Sequence, residues 1–511
     1  MLLDVGNNIK ATLARTLSIR VDLSHNKALA VSTTAGAFFV LIRLTHFQPQ
    51  QVPVFKILSP IRWLGNSLAC LLMTLCVAWN PATTRADEMT AESLLREYIP
   101  KVTAKHEDVQ RAIVIFKTGN FLQARALLEA AQQADPDLPP AGIMLATMLY
   151  AADQPALARA ELERVGQAIP DEPSVLLLLA EDALANGNYT YADLAFRRCA
   201  DMIKTTATNE HRNKNLKNRV VRGLAAIAEA REDWPLAVKL LGQVLGDDLS
   251  DSNMVARLAR AEFKKGNADA SFSLLKKHWE SDPTKIQRPE VTQGLLFHEA
   301  KDTVASAKYM KMAAEAAPKD APTQIKVAQW ALETGDTDMA QACAERAVLN
   351  SDPSIESRLL AALVARYKKD YPMAKDYLES VHLESPANLA AIIELAIVLS
   401  DMKGMENRGI QYAQLGVKLQ PDLRSPAGRN AAMALAWILH RYGGQAESEK
   451  ILQQVLVGGP ISVESSYYAA RILIAGKNHA AAKNLLEQAL ATGQIFPNYD
   501  EAKQLLKTTK W

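Results

Sequence analysis

The sequence predicts an all-α fold, a solenoid of helical hairpins stacked in a row. Three regularities predict it. Units begin at residues 105, 139, 173, 218, 252, 287, 321, 355, 390, 429 and 463, and most steps are 34 or 35 residues. Two positions in the unit hold small residues throughout, and a proline recurs near the unit's end. At 511 residues the chain is long enough for about three ordinary domains. The repeats replace that expectation with one elongated array over residues 105–496.

Each element has its own justification. Position 8 is Ala or Gly in every unit, from Ala112 and Ala146 to Ala436 and Ala470, with Ala396 one residue out of frame. Position 20 is Ala, Ser or Gly, from Ala124 to Ser448 and Ala482. Two helices approach closely only where small residues face each other, so these columns mark a crossing point. Position 24 is mostly large and apolar, as at Leu128, Leu162, Phe196 and Leu241, and fills the groove around the crossing. Gly119, Gly187, Gly266 and Gly335 mark the turn between the helices. Proline at position 32, in seven units including Pro136, Pro170 and Pro421, ends the second helix. Residues 87–104 are expected to form a leading helix, and residues 497–511 a capping helix with a polar outer face.

At these residues the chain resembles the tetratricopeptide repeat (TPR) family. The resemblance covers residues 105–496. It departs at position 11, often Tyr in the family and never Tyr here, and at an irregular position 4 that includes Asp108, Glu290 and Arg358. The resemblance implies a right-handed α-solenoid whose first helices line a concave groove. It also implies a scaffold for protein–protein contacts, with proteins or peptides as partners.

Composition narrows the function further. A net charge of +2 gives no support for nucleic-acid binding. Hydrophobic residues at 49% and charged residues at 22% exclude a disordered chain and a polytopic membrane protein. Four cysteines cannot build a disulfide framework. The charge is unevenly placed. Residues 1–86 carry eight basic and two acidic side chains, leaving 50 basic and 54 acidic side chains for the rest.

That basic leader contains an uncharged stretch, residues 63–84, with Lys56 and Arg62 before it and Ala82-Thr83-Thr84-Arg85-Ala86 after it. The order matches an export signal cleaved after Ala86, or a membrane anchor if uncleaved. Its apolar centre, residues 68–79, is short for a spanning helix. A second apolar run at residues 28–42 lies upstream. One account is that translation starts near Val52 and residues 1–51 are a misassigned start. The expected location is therefore periplasmic or extracellular, or at a membrane through residues 63–84. A component of an envelope secretion, polysaccharide-export or outer-membrane assembly complex is an alternative function.

No catalytic motif is present. His-Glu-x-x-His, Gly-x-Ser-x-Gly, P-loop and dinucleotide fingerprints are all missing from the sequence. No catalytic residue, cofactor or metal site is predicted, and an enzyme or glycan-binding protein with its site in the groove is the reading from another class. His278, Cys199 and Cys343 fall at packing positions and read as core.

In the family, positions 2, 5, 9, 12 and 13 of the first helix contact ligands. By that resemblance the candidate partner-binding residues are Arg222 and Arg260 in mid-array. Towards the C-terminus they are Arg366, Tyr367, Trp437, His440, Arg441, Tyr467 and Arg471. A mixture of Arg and aromatic side chains suits peptide or carboxylate binding. The competing reading places Arg on a solvated groove and packs Trp and Tyr between helices. No unit carries the Lys and Asn pair by which some family members hold a C-terminal carboxylate. Residues 204–217, in the 45-residue step between the third and fourth units, read as a solvated loop or lengthened helix, against a docking element.

Overall fold

A computed structural model describes residues 20–22, 30–32, 88–205, 209–246, 249–284, 286–349, 354–509 and 511. The chain divides into two units, Met1–Gly65 and Asn66–Trp511. In the first, β1 (Arg20–Asp22) pairs antiparallel with β2 (Ala30–Ser32), with Val21 opposite Val31. The signal-like stretch 63–86 lies outside the described residues.

The second unit is all-α. A short α1 (Ala91–Leu95) is followed by eleven hairpins. They pair α2 (Glu107–Lys117) with α3 (Phe121–Ala134), α4 (Ala141–Ala151) with α5 (Pro155–Ala168), and α6 (Pro173–Ala185) with α7 (Tyr189–Thr205). Next come α8 (Glu210–Ala230) with α9 (Trp234–Leu245), α10 (Ser252–Lys264) with α11 (Ala268–Ser281), and α12 (Pro289–Glu299) with α13 (Thr303–Ala316). Then α14 (Ala321–Thr334) pairs with α15 (Thr337–Leu349), and α16 (Ile355–Tyr367) with α17 (Tyr371–Glu384). The last are α18 (Leu389–Ser400) with α19 (Glu406–Leu419), α20 (Pro426–Arg441) with α21 (Gln445–Gly458), and α22 (Val463–Ala475) with α23 (His479–Ala491). A final helix, α24 (Tyr499–Thr508), follows. The hairpins form a right-handed α-solenoid. Among the described residues, no helix is long and apolar enough to cross a membrane.

One turn is used eleven times. The fifteenth residue of every unit has positive φ. It is Gly in six units (119, 187, 266, 335, 404 and 443) and Asp153, Glu232, Lys301, Lys369 or Lys477 in the others. The next residue caps the second helix. Asn120, Asp233, Asp302, Asp370 and Asn478 each accept a backbone N–H three residues on.

The small columns meet at the crossing. Ala112 and Ala124, Ala180 and Ala192, and Ala470 and Ala482 are all fully buried. Where position 20 is Ser, its hydroxyl can bond to the facing helix. Ser306 Oγ donates to the Gly294 carbonyl at 2.9 Å, and Ser448 Oγ to that of Ala436 at 2.7 Å. In the ninth unit the helices come closer still, and a Cβ on Gly409 would lie 2.9 Å from the Ala396 carbonyl oxygen. His278, Cys199 and Cys343 are buried, and both thiols are free.

A candidate groove with both ends folded back

The first helices of successive units line the groove, and charged side chains link them in mid-array. Arg222 on α8 pairs with Asp251 at 2.9 Å. Arg257 on α10 reaches back to Glu229, with Nε 3.0 Å from Oε2. Arg260 and Lys264 share Glu299 of α12 at 2.8 and 3.0 Å. Together they hold the Glu299 carboxyl below its usual range, against the upward push of burial. The predicted site residues Arg222 and Arg260 are thus already paired with carboxylates across neighbouring helices.

In the C-terminal patch Trp437 and Tyr467 pack between helices, as the competing sequence reading held, whereas Arg366 is buried instead of lying on a solvated groove. Arg366 is 3% exposed, Tyr467 3% and Trp437 8%. The first helices of the last four units curve tightly enough that α16 meets α22 across the groove. Arg366 Nη1 pairs with Glu394 at 2.5 Å, while Nη2 pairs with Glu464 and lies 2.9 Å from Tyr468 Oη. Trp437 stacks on Tyr468, with centroids 4.8 Å apart. Burial desolvates the phenols, pushing Tyr468 upward and Tyr367 up to about 12. Trp437 is covered by Tyr467 and Tyr468 of the adjacent first helix, and Tyr467 in turn by Phe496 of the C-terminal segment.

The remaining candidates lie around this cluster. Tyr367 is half-buried and donates to the Ile495 carbonyl at 2.9 Å. His440 contacts Gln445, and its ring centroid lies 5.9 Å from that of Trp437, with the rings tilted by 32°. Arg441 pairs with Asp401 and sits 5.6 Å from the Trp437 ring centroid. Arg471 is exposed, 5.8 Å from the same centroid, and donates to Tyr467 Oη at 3.0 Å. Among the described residues it has no carboxylate partner. The C-terminal segment completes the closure, with Phe496 buried against Tyr467 and Tyr499, and Glu501 paired with Lys369.

The N-terminal end is folded back as well. Met89, Leu94, Leu95, Tyr98 and Ile99 join one apolar cluster with Ile113 of α2 and Met144 and Met148 of α4. The backbone N–H of Ala91 donates to Gln110 Oε1 at 2.9 Å. Three side chains at the start of α8 then reach consecutive carbonyls. Asn209 Nδ2 lies 3.2 Å from the Tyr98 oxygen, Asn215 Nδ2 3.0 Å from that of Glu97, and His211 Nε2 2.9 Å from that of Arg96. Arg219 pairs with Glu97 at 2.6 Å and with Glu181 of α6. Arg212 lies 5.5 Å from the Tyr98 ring centroid, and burial raises the Tyr98 phenol to about 12.

Residues 89–99 therefore lie across the first helices of the first four units. The 45-residue step belongs to a lengthened helix, as one of the sequence readings held, and its extra turns grip this segment. Sequence reasoning missed Glu97, Tyr98, Asn209 and Asn215 as groove residues. The available signal was an unusual step length next to a leading segment with no hairpin partner.

Residues 116–181 match the tetratricopeptide repeat family. No curated protein matches the chain. Solved structures of several repeat proteins are similar to it. One is a tetratricopeptide repeat protein from Parabacteroides merdae, 12% identical, covering 57% of this chain and 97% of its own, with a TM-score of 0.37. Yeast Tom70 is 14% identical over 79% of this chain and 95% of its own, with a TM-score of 0.35. YrrB, described as having an unusual peptide-binding site, is 20% identical over 39% of this chain and 97% of its own, with a TM-score of 0.25.

Proposed function

We propose that this chain, a tetratricopeptide repeat protein, is a non-enzymatic scaffold that binds segments of other proteins along its concave face. The observation that carries this reading is that the groove already holds polypeptide at both ends. Residues 89–99 lie in the first four units, and Ile495 and Phe496 return to the later ones. Between them, α10, α12 and α14 present Arg260, Lys264, Glu299 and Gln329 half-exposed. This alternation of charge suits many weak polar contacts to an extended or helical segment.

A photo-crosslinking residue at Gln329 in the groove tests the reading, with one at Lys311 as control. The Lys311 side chain is 74% exposed on the second helix of its hairpin. Discrete protein adducts from position 329 and none from 311 are expected. Equal yields from both, or turnover of a small substrate by the purified chain, would overturn it.

Export, or attachment to a membrane, is the second part of the proposal, with membership of an envelope assembly as its extension. It rests on the basic, then apolar, then small-residue order of residues 56–86. N-terminal sequencing of the native protein is expected to begin at Asp87. Recovery of residues 1–51 in the mature protein would sink both the start near Val52 and cleavage after Ala86, and would leave the chain in the soluble fraction only if the anchor reading fails as well.

A further inference from the structure

The segment at the N-terminal end of the groove is held as a ligand would be held. Residues 89–99 belong to no hairpin. Their single helix, α1, has five residues, too short to be stable alone. What fixes them is the receptor surface beneath. Donors on α8 read three successive backbone carbonyls, those of Arg96, Glu97 and Tyr98. An arginine reads the Glu97 carboxylate, another lies over the Tyr98 ring, and an apolar floor accepts Leu94, Leu95 and Ile99. The three carbonyls belong to the turn that ends α1, and side chains that bond to them recognise that turn largely independently of its sequence. The ionic and aromatic contacts then add selectivity.

Arg212 and Arg219 also pair with Glu172 and Glu181, and Asn209 Oδ1 caps α8, but the bonds to the carbonyls of Arg96, Glu97 and Tyr98 come from side-chain atoms outside those contacts. Asn209, His211 and Asn215 lie in the turns added ahead of the repeat, where the other units have only a short connection. The unit itself packs through Gly223, Ala225 and Ala237, which lie further along. Removing residues 89–99 would return these polar groups to water at little expense. It would also uncover the floor formed by Ile113, Met144 and Met148, which then requires another apolar occupant.

We propose that residues 89–99 are an intramolecular ligand of the groove formed by the first four units. The partner for this surface is a protein segment of the same chemistry, two adjacent apolar residues followed by an acidic and an aromatic residue, and it enters by displacing them. This deepens the scaffold reading and rests on it. Tethering gives the internal segment a high effective concentration, so a competing segment sees a weakened apparent affinity until the internal one is loosened.

The test uses the full chain and a fluorescent synthetic peptide of residues 88–101, followed by anisotropy and by circular dichroism. The double variant Glu97→Lys, Tyr98→Ala weakens the internal copy and leaves the receptor surface intact. It is expected to bind the peptide at least tenfold more tightly than the unaltered chain, with unchanged helicity. Adding Asn215→Ala to that variant is expected to reduce peptide binding again. Equal peptide affinity in the unaltered and double-variant chains would overturn the proposal. So would loss of helicity in the double variant, which would make residues 89–99 a structural cap. Failure of this exchange while Gln329 still crosslinks to partners would remove this inference and leave the scaffold reading standing.

Discussion

Arg366 and Glu464 are 98 residues apart in sequence and form an ion pair across the groove, with the arginine 3% exposed. Glu394 takes the other arm of the guanidinium. Arg366→Met would leave two carboxylates facing each other without a cation. A loss of about 3–5 kcal/mol is expected, the range for breaking a buried pair from one side. Arg424, whose side chain is 90% exposed beside Asp422, is the contrast, and its Ala variant should change stability by less than about 0.5 kcal/mol. Urea unfolding followed by hydrogen exchange in α22 reads both, and equal effects would mean that the cross-groove pair contributes nothing.

The shared turn predicts stabilising substitutions. Glu232 and Lys301 adopt φ of 58° and 61°, where six other units use Gly. A side chain in the left-handed region costs about 1–2 kcal/mol. Part of that gain is offset by glycine's larger entropy loss on folding. Each of Glu232→Gly and Lys301→Gly is therefore expected to add about 0.5–1 kcal/mol, seen as a higher Tm. A lower Tm for both would show the turn to be unstrained.

Two helical glycines should respond in opposite directions. A Cβ on Gly223 would lie 2.2 Å from the Phe196 ring, whereas one on Gly242 meets nothing within 4 Å. Gly223→Ala should destabilise by about 1–3 kcal/mol through overpacking. Gly242→Ala should stabilise by about 0.5–1 kcal/mol, the helix-propensity difference. Denaturant midpoints compare them directly.

Acid sensitivity has a local source in the first unit. Asp135 is buried beneath Lys105 at 2.6 Å and His106 at 3.0 Å, and their hydrogen bonds lower its carboxyl to about 2. The Thr103 N–H donates to His106 Nδ1, so the Nε2 proton faces Asp135. A carboxyl depressed in the folded state adds stability above its unfolded value, about 3.9. That stability falls as pH drops through the folded value. Asp135→Asn should therefore be less stable than the parent at pH 7 and flatten its loss of stability between pH 4 and 2. Parallel acid-unfolding curves for the two proteins would contradict this.

The sequence by itself determined the repeat. Small residues at two fixed positions and proline at a third are local requirements of close helix crossing and helix termination, so they remain visible in a single chain. It also placed Cys199, Cys343 and His278 in the core, because their repeat positions face inward. The shared left-handed turn was half visible. Gly119, Gly187, Gly266 and Gly335 marked it in the sequence, but Asp153, Glu232 and the three lysines adopt the same φ without any compositional sign.

Only the tertiary structure decided what the groove holds. Exposure at a repeat position is a property of an open groove, and superhelical closure adds neighbours from units far along the chain. Arg366, Trp437 and Tyr467 occupy ligand-facing positions by repeat number, yet Arg366 meets Glu464 of α22 across the groove, Trp437 packs on neighbouring α22, and Phe496 of the C-terminal segment covers Tyr467, so all three are core. The fold-back of residues 89–99 onto α8 spans more than 100 residues. The long step before the fourth unit hints at an extra role for α8, but it does not name the partner, since the energy of the contact comes from surfaces that exist only after the units have stacked.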